Sequence, residues 1–126
     1  MPTEIAASDI QQEKLATCLQ IVIDALADLK AKEILTINVE KITDVTDRVV
    51  IANGTSTRHV RALAENVAVE AKKADFIPLG VEGEKDAEWI LVDLGSVVVH
   101  LFLPAARDFY DLESLWRDTG DTSQTS

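Results

Sequence analysis

The stretch from Glu88 to Phe102, EWILVDLGSVVVHLF, holds two β-rich apolar runs joined only by Gly95-Ser96, and no other segment restricts the fold so tightly. A two-residue loop with glycine first suits a type II′ turn, whose twist matches that of paired antiparallel strands. The register that follows sets Leu94 opposite Val97, Val92 opposite Val99 and Ile90 opposite Leu101, on one wholly aliphatic face. Side chains alternate across a strand, so the other face carries Trp89, Leu91, Asp93, Val98, His100 and Phe102. A plain core would not require that aspartate and histidine.

With 126 residues the chain suits one domain, long enough to bury roughly two thirds of the surface its unfolded form exposes. Cys18 is the single cysteine, which rules out an internal disulfide framework. The first residues lack the charged-then-apolar pattern of a secretory signal, and a reducing, cytoplasmic setting is expected. No apolar run approaches the roughly 20 residues of a membrane-spanning helix. A formal net charge of -10 argues against broad contact with phosphate backbones, where affinity comes from Lys and Arg displacing counterions. The same charge favours encounter with basic partners, of which ribosomal proteins are one abundant class.

Residues 1–7 and 119–126 are polar or small and read as flexible tails around one domain over residues 8–118. Ser8 with Gln11 resembles a capping box, and Leu15, Leu19, Val22, Ile23, Leu26 and Leu29 recur at helical spacing, predicting a helix from about Asp9 to Lys30. Ile34 to Val39 and Arg48 to Ala52 read as strands. After Asn53-Gly54 the period changes: Val60, Leu63, Ala64, Val67 and Ala71 mark an amphipathic helix, with Thr55 or Ser56 as its N-cap. Pro78 to Val81 is a short strand, Glu82 to Asp86 an acidic loop, and the hairpin adds two strands. Pro104 stops the sheet. Phe109, Leu112, Leu115 and Trp116 then define one stripe of a short closing helix. The expected fold is a single α/β domain with a mixed five-stranded sheet and helices packed mainly on one side. A right-handed strand-helix-strand crossover runs from Arg48 through Val81.

The segment Asn53-Gly54-Thr55-Ser56-Thr57-Arg58 joins a strand to a helix, where free N–H groups and the positive dipole end can hold an anion. A glycine turn followed by a hydroxyl cap explains the same residues without a ligand, and neither GxxxxGK[ST] nor GxGxxG occurs. The strand-Gly-Ser-helix corner suggests a nucleotidyltransferase-like fold. Such an enzyme needs spaced carboxylates for its metal ions, and Asp93 has Leu91 and Gly95 as its two-residue neighbours, so metal-dependent transfer is disfavoured. Cys18, His59 and His100 are isolated and offer no zinc spacing; no metal and no cofactor are expected. His100 and Asp93 lie diagonally across the hairpin, within reach of each other. Three readings compete for them: a structural hydrogen-bonded pair, a binding surface, or an acid-base pair without a nucleophile.

Trp89 serves equally as core or as an interface anchor. Glu82, Glu84, Asp86 and Glu88 before it form either a solvated loop or a rim that attracts a basic partner. Arg58, His59 and Arg61 are too few for RNA readout and fit capping or intramolecular roles, so no direct sequence-specific nucleic-acid binding is expected.

Three long motifs, DVTDRVVIANGTSTRHVRALA, VEGEKDAEWILVDLGSVVVHLF and RDFYDLESLW, together cover nearly everything between the tails. In that order they resemble the bacterial ribosomal silencing factors, the Iojap-related family. The resemblance implies a non-enzymatic binding protein that docks on the large-subunit ribosomal protein uL-fourteen at the face where the small subunit joins. Such docking blocks subunit association and represses translation when nutrients are scarce. It also implies a nucleotidyltransferase-like fold without catalytic residues, and a partner surface that includes Trp89, Asp93, Leu94, Gly95 and His100. The chain departs from the family's usual pattern at Arg48 and Val49, where aromatics are common, and at Ser96, where an aspartate is usual. The last change removes one charge-assisted contact to a basic partner. Two readings stand beside this one: a nucleotide-binding enzyme using Gly54 to Ser56 with Asp93 near a metal, and a homodimer paired through the mixed sheet face.

Overall fold

The computed structural model describes residues 7–116 and 121–125. Helix α1 (Ala7–Asp28) leads into strands β1 (Lys32–Asn38) and β2 (Arg48–Asn53), then helix α2 (Thr57–Lys73). Strands β3 (Gly80–Glu82), β4 (Trp89–Asp93) and β5 (Val97–Phe102) follow, then helices α3 (Pro104–Tyr110) and α4 (Glu113–Trp116) and strand β6 (Asp121–Thr125). Both long helices end in the same way. At the end of α1, Lys30 takes φ +60, its N–H bonds to the Ala27 carbonyl and that of Ala31 to Leu26. At the end of α2, Asp75 takes φ +68, with its N–H on Lys72 and that of Phe76 on Ala71. These are Schellman closures made without glycine, and Ala31 and Phe76 supply the apolar contact that usually accompanies them.

The sheet runs β3-β4-β5-β2-β1-β6. Strands β2 and β5 are parallel, and every other neighbouring pair is antiparallel, so the sheet is mixed as expected. Strands β2 and β3 run in the same direction with β5 and β4 between them, which makes β2-α2-β3 a crossover spanning half the sheet. One face lies under α1 and α2. Its core joins Leu15, Cys18, Val22 and Leu26 of α1 and Val60, Leu63 and Val67 of α2 to Val50, Ile90, Val92, Val99 and Leu101 of the strands. The opposite face has a smaller core of Ile37, Val39, Val49, Ile51 and Phe102, against which Ile42, Trp89, Ala106 and Leu112 pack. Central β2 is therefore buried on both faces, which suits its Val-Val-Ile-Ala run.

Two expectations are corrected. Residues 121–125 are a sixth strand antiparallel to β1, pairing Ile34 with Thr125 through to Asn38 with Asp121, and not a tail. A polar pentapeptide without apolar alternation gives no strand signal, but its main-chain groups can satisfy the open edge of β1. The expected N-terminal tail, apart from Ala7, lies outside the described residues, as do 119, 120 and 126 of the expected C-terminal one. The closing helix is also two helices, broken at Asp111 with φ +45, and Phe109 points outward at 81% exposure. Its covering face is phased on Ala106 and Leu112 instead.

Candidate functional site

The hairpin has the register that its two-residue loop demands: Ile90 pairs with Leu101, Val92 with Val99, Leu91 with His100 and Asp93 with Val98. Gly95 takes φ +85, a left-handed conformation that glycine adopts without strain. The turn closes through Leu94 N–H to the Val97 carbonyl at 2.9 Å and Ser96 N–H to the Leu94 carbonyl at 3.2 Å. Asp93 Oδ1 accepts the Gly95 N–H at 2.8 Å, which pins the turn. Alternation carries Leu94 onto the aliphatic face, where it is 8% exposed and part of the core. Its side chain is thus withdrawn from any partner, and only its place at the turn remains.

Asp93 and His100 are diagonal neighbours but not partners. Trp89 Nε1 donates to His100 Nδ1 at 3.0 Å, while the Asp93 carboxylate serves the turn. The indole N–H is a donor only, so His100 Nδ1 must be unprotonated and its proton sits on Nε2. Burial lowers the His100 pKa from 6.5 to about 4, so the ring is neutral near pH 7. Among the described residues no buried side-chain nitrogen or oxygen lacks a hydrogen bond. The Nε2–H of His100 has no hydrogen-bond partner among the described residues. The Trp89 ring stacks on Phe102 with centroids 5.1 Å apart, and Tyr110 of α3 tilts against Trp89 at 4.7 Å.

Tyr110, 51% exposed, was missed by the stripe drawn through Phe109. Phasing the helix from Ala106 would have found it, since Ala106 and Tyr110 lie one turn apart on one face. Beside this aromatic group β3 pairs Glu82 with Leu91 and Gly80 with Asp93. A recess of about 260 Å³ opens between Glu82, Gly83, Trp89 and Leu91. Gly83 is at φ +92, and a Cβ there would stand 2.1 Å from the Trp89 carbonyl oxygen, so the acidic loop folds tightly against the tryptophan's own backbone. Arg61 holds the same loop from α2, donating to the Glu84 carbonyl at 2.9 Å and the Lys85 carbonyl at 2.7 Å. Glu82, Glu84, Asp86 and Glu88 are all exposed around it.

The strand-helix corner at Gly54 is occupied by the chain itself. Gly54 N–H bonds to Phe102 O, Thr55 N–H to His59 Nδ1 at 2.9 Å, His59 N–H to the Ser56 hydroxyl at 3.0 Å, and Val60 N–H to Ser56 O. Ser56 is thus the N-cap, and the donors an anion would use are largely spent on local partners. His59 Nε2–H donates to the Leu29 carbonyl at 2.6 Å, joining this corner to the end of α1. Gly54 is required by close packing: a Cβ would lie 2.7 Å from Val60 Cγ2 and 2.9 Å from Val60 N. No group of three or more His, Cys, Asp or Glu suited to a metal ion occurs among the described residues. At the positions that depart from the motif, Arg48 pairs with Glu40 at 3.1 Å, and the Ser96 carbonyl accepts the N–H groups of Asp47 and Arg48. Val49 is buried in the smaller core.

Residues 11–126 match the family model described as "Ribosomal silencing factor during starvation". The chain belongs to the ribosomal silencing factor family. A ribosomal silencing factor from Chromobacterium violaceum is 46% identical over 97 residues, covering 77% of this chain and 80% of that protein. A crystal structure of a protein from the same species superposes with a TM-score of 0.81 at 44% identity, covering 82% of this chain and 86% of that one. A mouse protein named "Mitochondrial assembly of ribosomal large subunit protein 1" is 37% identical over 101 residues, 78% of this chain and 44% of its own length. The names of these relatives thus refer to ribosomal silencing and to assembly of the ribosomal large subunit. Of the residues singled out by the resemblance, the fold joins Trp89 to His100 and Asp93 to Gly95 on the face away from α1 and α2. Leu94 it assigns to the core.

Proposed function

We propose that this protein binds the large ribosomal subunit through ribosomal protein uL-fourteen and sterically blocks joining of the small subunit, repressing translation under nutrient limitation. The reading is supported first by family membership, whose description places silencing in starvation, and by the large ribosomal subunit in the name of the mouse relative. The observation that carries it is the half-buried hairpin end of the mixed sheet face. There Trp89 and Tyr110 form an aromatic centre, the His100 Nε2–H offers a neutral donor, and Glu82 and its loop form an acidic rim. Aromatic anchors inside a charged rim are the usual anatomy of a protein interface. The recess between Glu82 and Trp89 suits the aliphatic stem of a lysine or arginine from a basic partner, with its charged head at the carboxylate.

Steric exclusion requires occupancy and no bond-making step, which agrees with an aspartate committed to a turn and a histidine committed to an indole. Purified large and small subunits mixed with the protein and resolved on a sucrose gradient test the proposal. Saturating protein is expected to leave the subunits separate. Unchanged re-formation of whole ribosomes would overturn it.

A further inference from the structure

We infer that Arg107 is the positioning residue of this surface: one buried guanidinium sets the α3–α4 turn so that Tyr110 stands against Trp89. This rests on the reading of the aromatic face as the docking surface. Helix α3 has seven residues, too few to persist alone, and its N-cap Leu103 makes no side-chain cap bond. Among the described side chains, the apolar anchors in the smaller core are Ala106 and Leu112, with Phe109 turned to solvent.

Arg107, 7% exposed, adds a buried polar hold. Its Nε donates to Glu113 Oε1 at 2.7 Å, and its Nη1 to the Glu33 carbonyl at 2.7 Å and Asn53 Oδ1 at 3.0 Å. These partners come from α4, the start of β1 and the end of β2, so a single side chain ties both halves of the broken helix to the sheet. The sheet is shaped to receive it. The β1–β2 register shifts between Lys32 and Leu35, Glu33 takes φ +49, and Asn53 Nδ2 holds the Glu33 carboxylate at 3.1 Å. A bulge of this kind re-aims one backbone group, here the carbonyl that Arg107 reads. Three acceptors in three directions match the planar fork of a guanidinium and not the single ammonium of lysine. The Arg107 carbonyl also accepts the Asp111 N–H that ends α3, one residue after Tyr110.

The test is a double-mutant cycle on binding to purified large subunits with Arg107→Lys, Tyr110→Ala and the double variant, each checked for folding by circular dichroism. Each single change is expected to weaken binding about tenfold, the scale of losing one aromatic anchor. If Arg107 acts through Tyr110, the double variant loses no more than Tyr110→Ala alone; a hundredfold loss, or full binding by Arg107→Lys, overturns the inference. A second readout needs no ribosome. In the free protein, Arg107→Lys is expected to shift the Trp89 indole N–H resonance and abolish the Trp89–Tyr110 ring contact by NMR, and an intact contact overturns the positioning role. Should the wild type fail to bind the large subunit, this readout still decides the role of Arg107 while the docking proposal falls. If Arg107→Lys does not fold, Glu113→Gln, which keeps an acceptor but removes its charge, takes its place in both measurements with the same outcomes.

Discussion

Replacing His100 with glutamine separates its two roles, hydrogen-bond acceptor and titrating group. The folded pKa of about 4 lies below the ordinary value of 6.5. Above pH 6.5 the ring is neutral both folded and unfolded, and the full stability is present. As pH falls below 6.5 the unfolded chain takes up a proton that the folded chain refuses, so stability declines until about pH 4. The difference between the two values corresponds to roughly 3 kcal/mol over the whole window, and to about 2 kcal/mol at pH 5. Geometry points the same way, because a protonated Nδ1 would confront the Trp89 Nε1–H now 3.0 Å away. In His100→Gln the amide oxygen can still accept from the indole, so stability at pH 7 is expected to change by less than about 1 kcal/mol. Urea unfolding of both proteins at pH 7 and pH 5 is the assay. The wild type should lose about 2 kcal/mol more than the variant between the two pH values, the other titrating groups being common to both. Parallel losses, or titration of His100 near its ordinary value by NMR, would refute the reasoning.

Gly54→Ala is expected to cost about 1 to 3 kcal/mol, because the new methyl meets Val60 Cγ2 and the Val60 backbone nitrogen. Chemical denaturation measures it, and a neutral effect would show that the corner yields easily. Cys18 is fully buried in the α1 core and burial raises its thiol pKa to about 11. A thiol-specific reagent at pH 8 should therefore leave it unmodified in the native protein and label it once urea unfolds the chain; rapid native labelling would contradict the packing of α1.

Some of this protein was legible residue by residue. The Gly95-Ser96 loop leaves the two runs a single register, and strand alternation then divides their side chains between two faces, as found. Ser56 capped its helix because a hydroxyl before a helical period has an N–H within reach. What the chain could not disclose depended on groups distant in sequence. Asp93 and His100 looked like mutual partners because hairpin geometry puts them in range, yet each found a better-placed one, and the choice turns on side-chain reach and burial. The β6 strand needed the open edge of β1 to give its polar residues a ladder. The phase of α3 was set by a guanidinium two of whose acceptors lie 54 and 74 residues away. Local periodicity and turn chemistry thus determined the hairpin and the two long helices, and the motifs carried the family resemblance. Only tertiary structure decided how the mixed sheet face is packed and which long-range contacts place Trp89 and Tyr110 upon it, since burial and distant partners do not exist before the chain is folded.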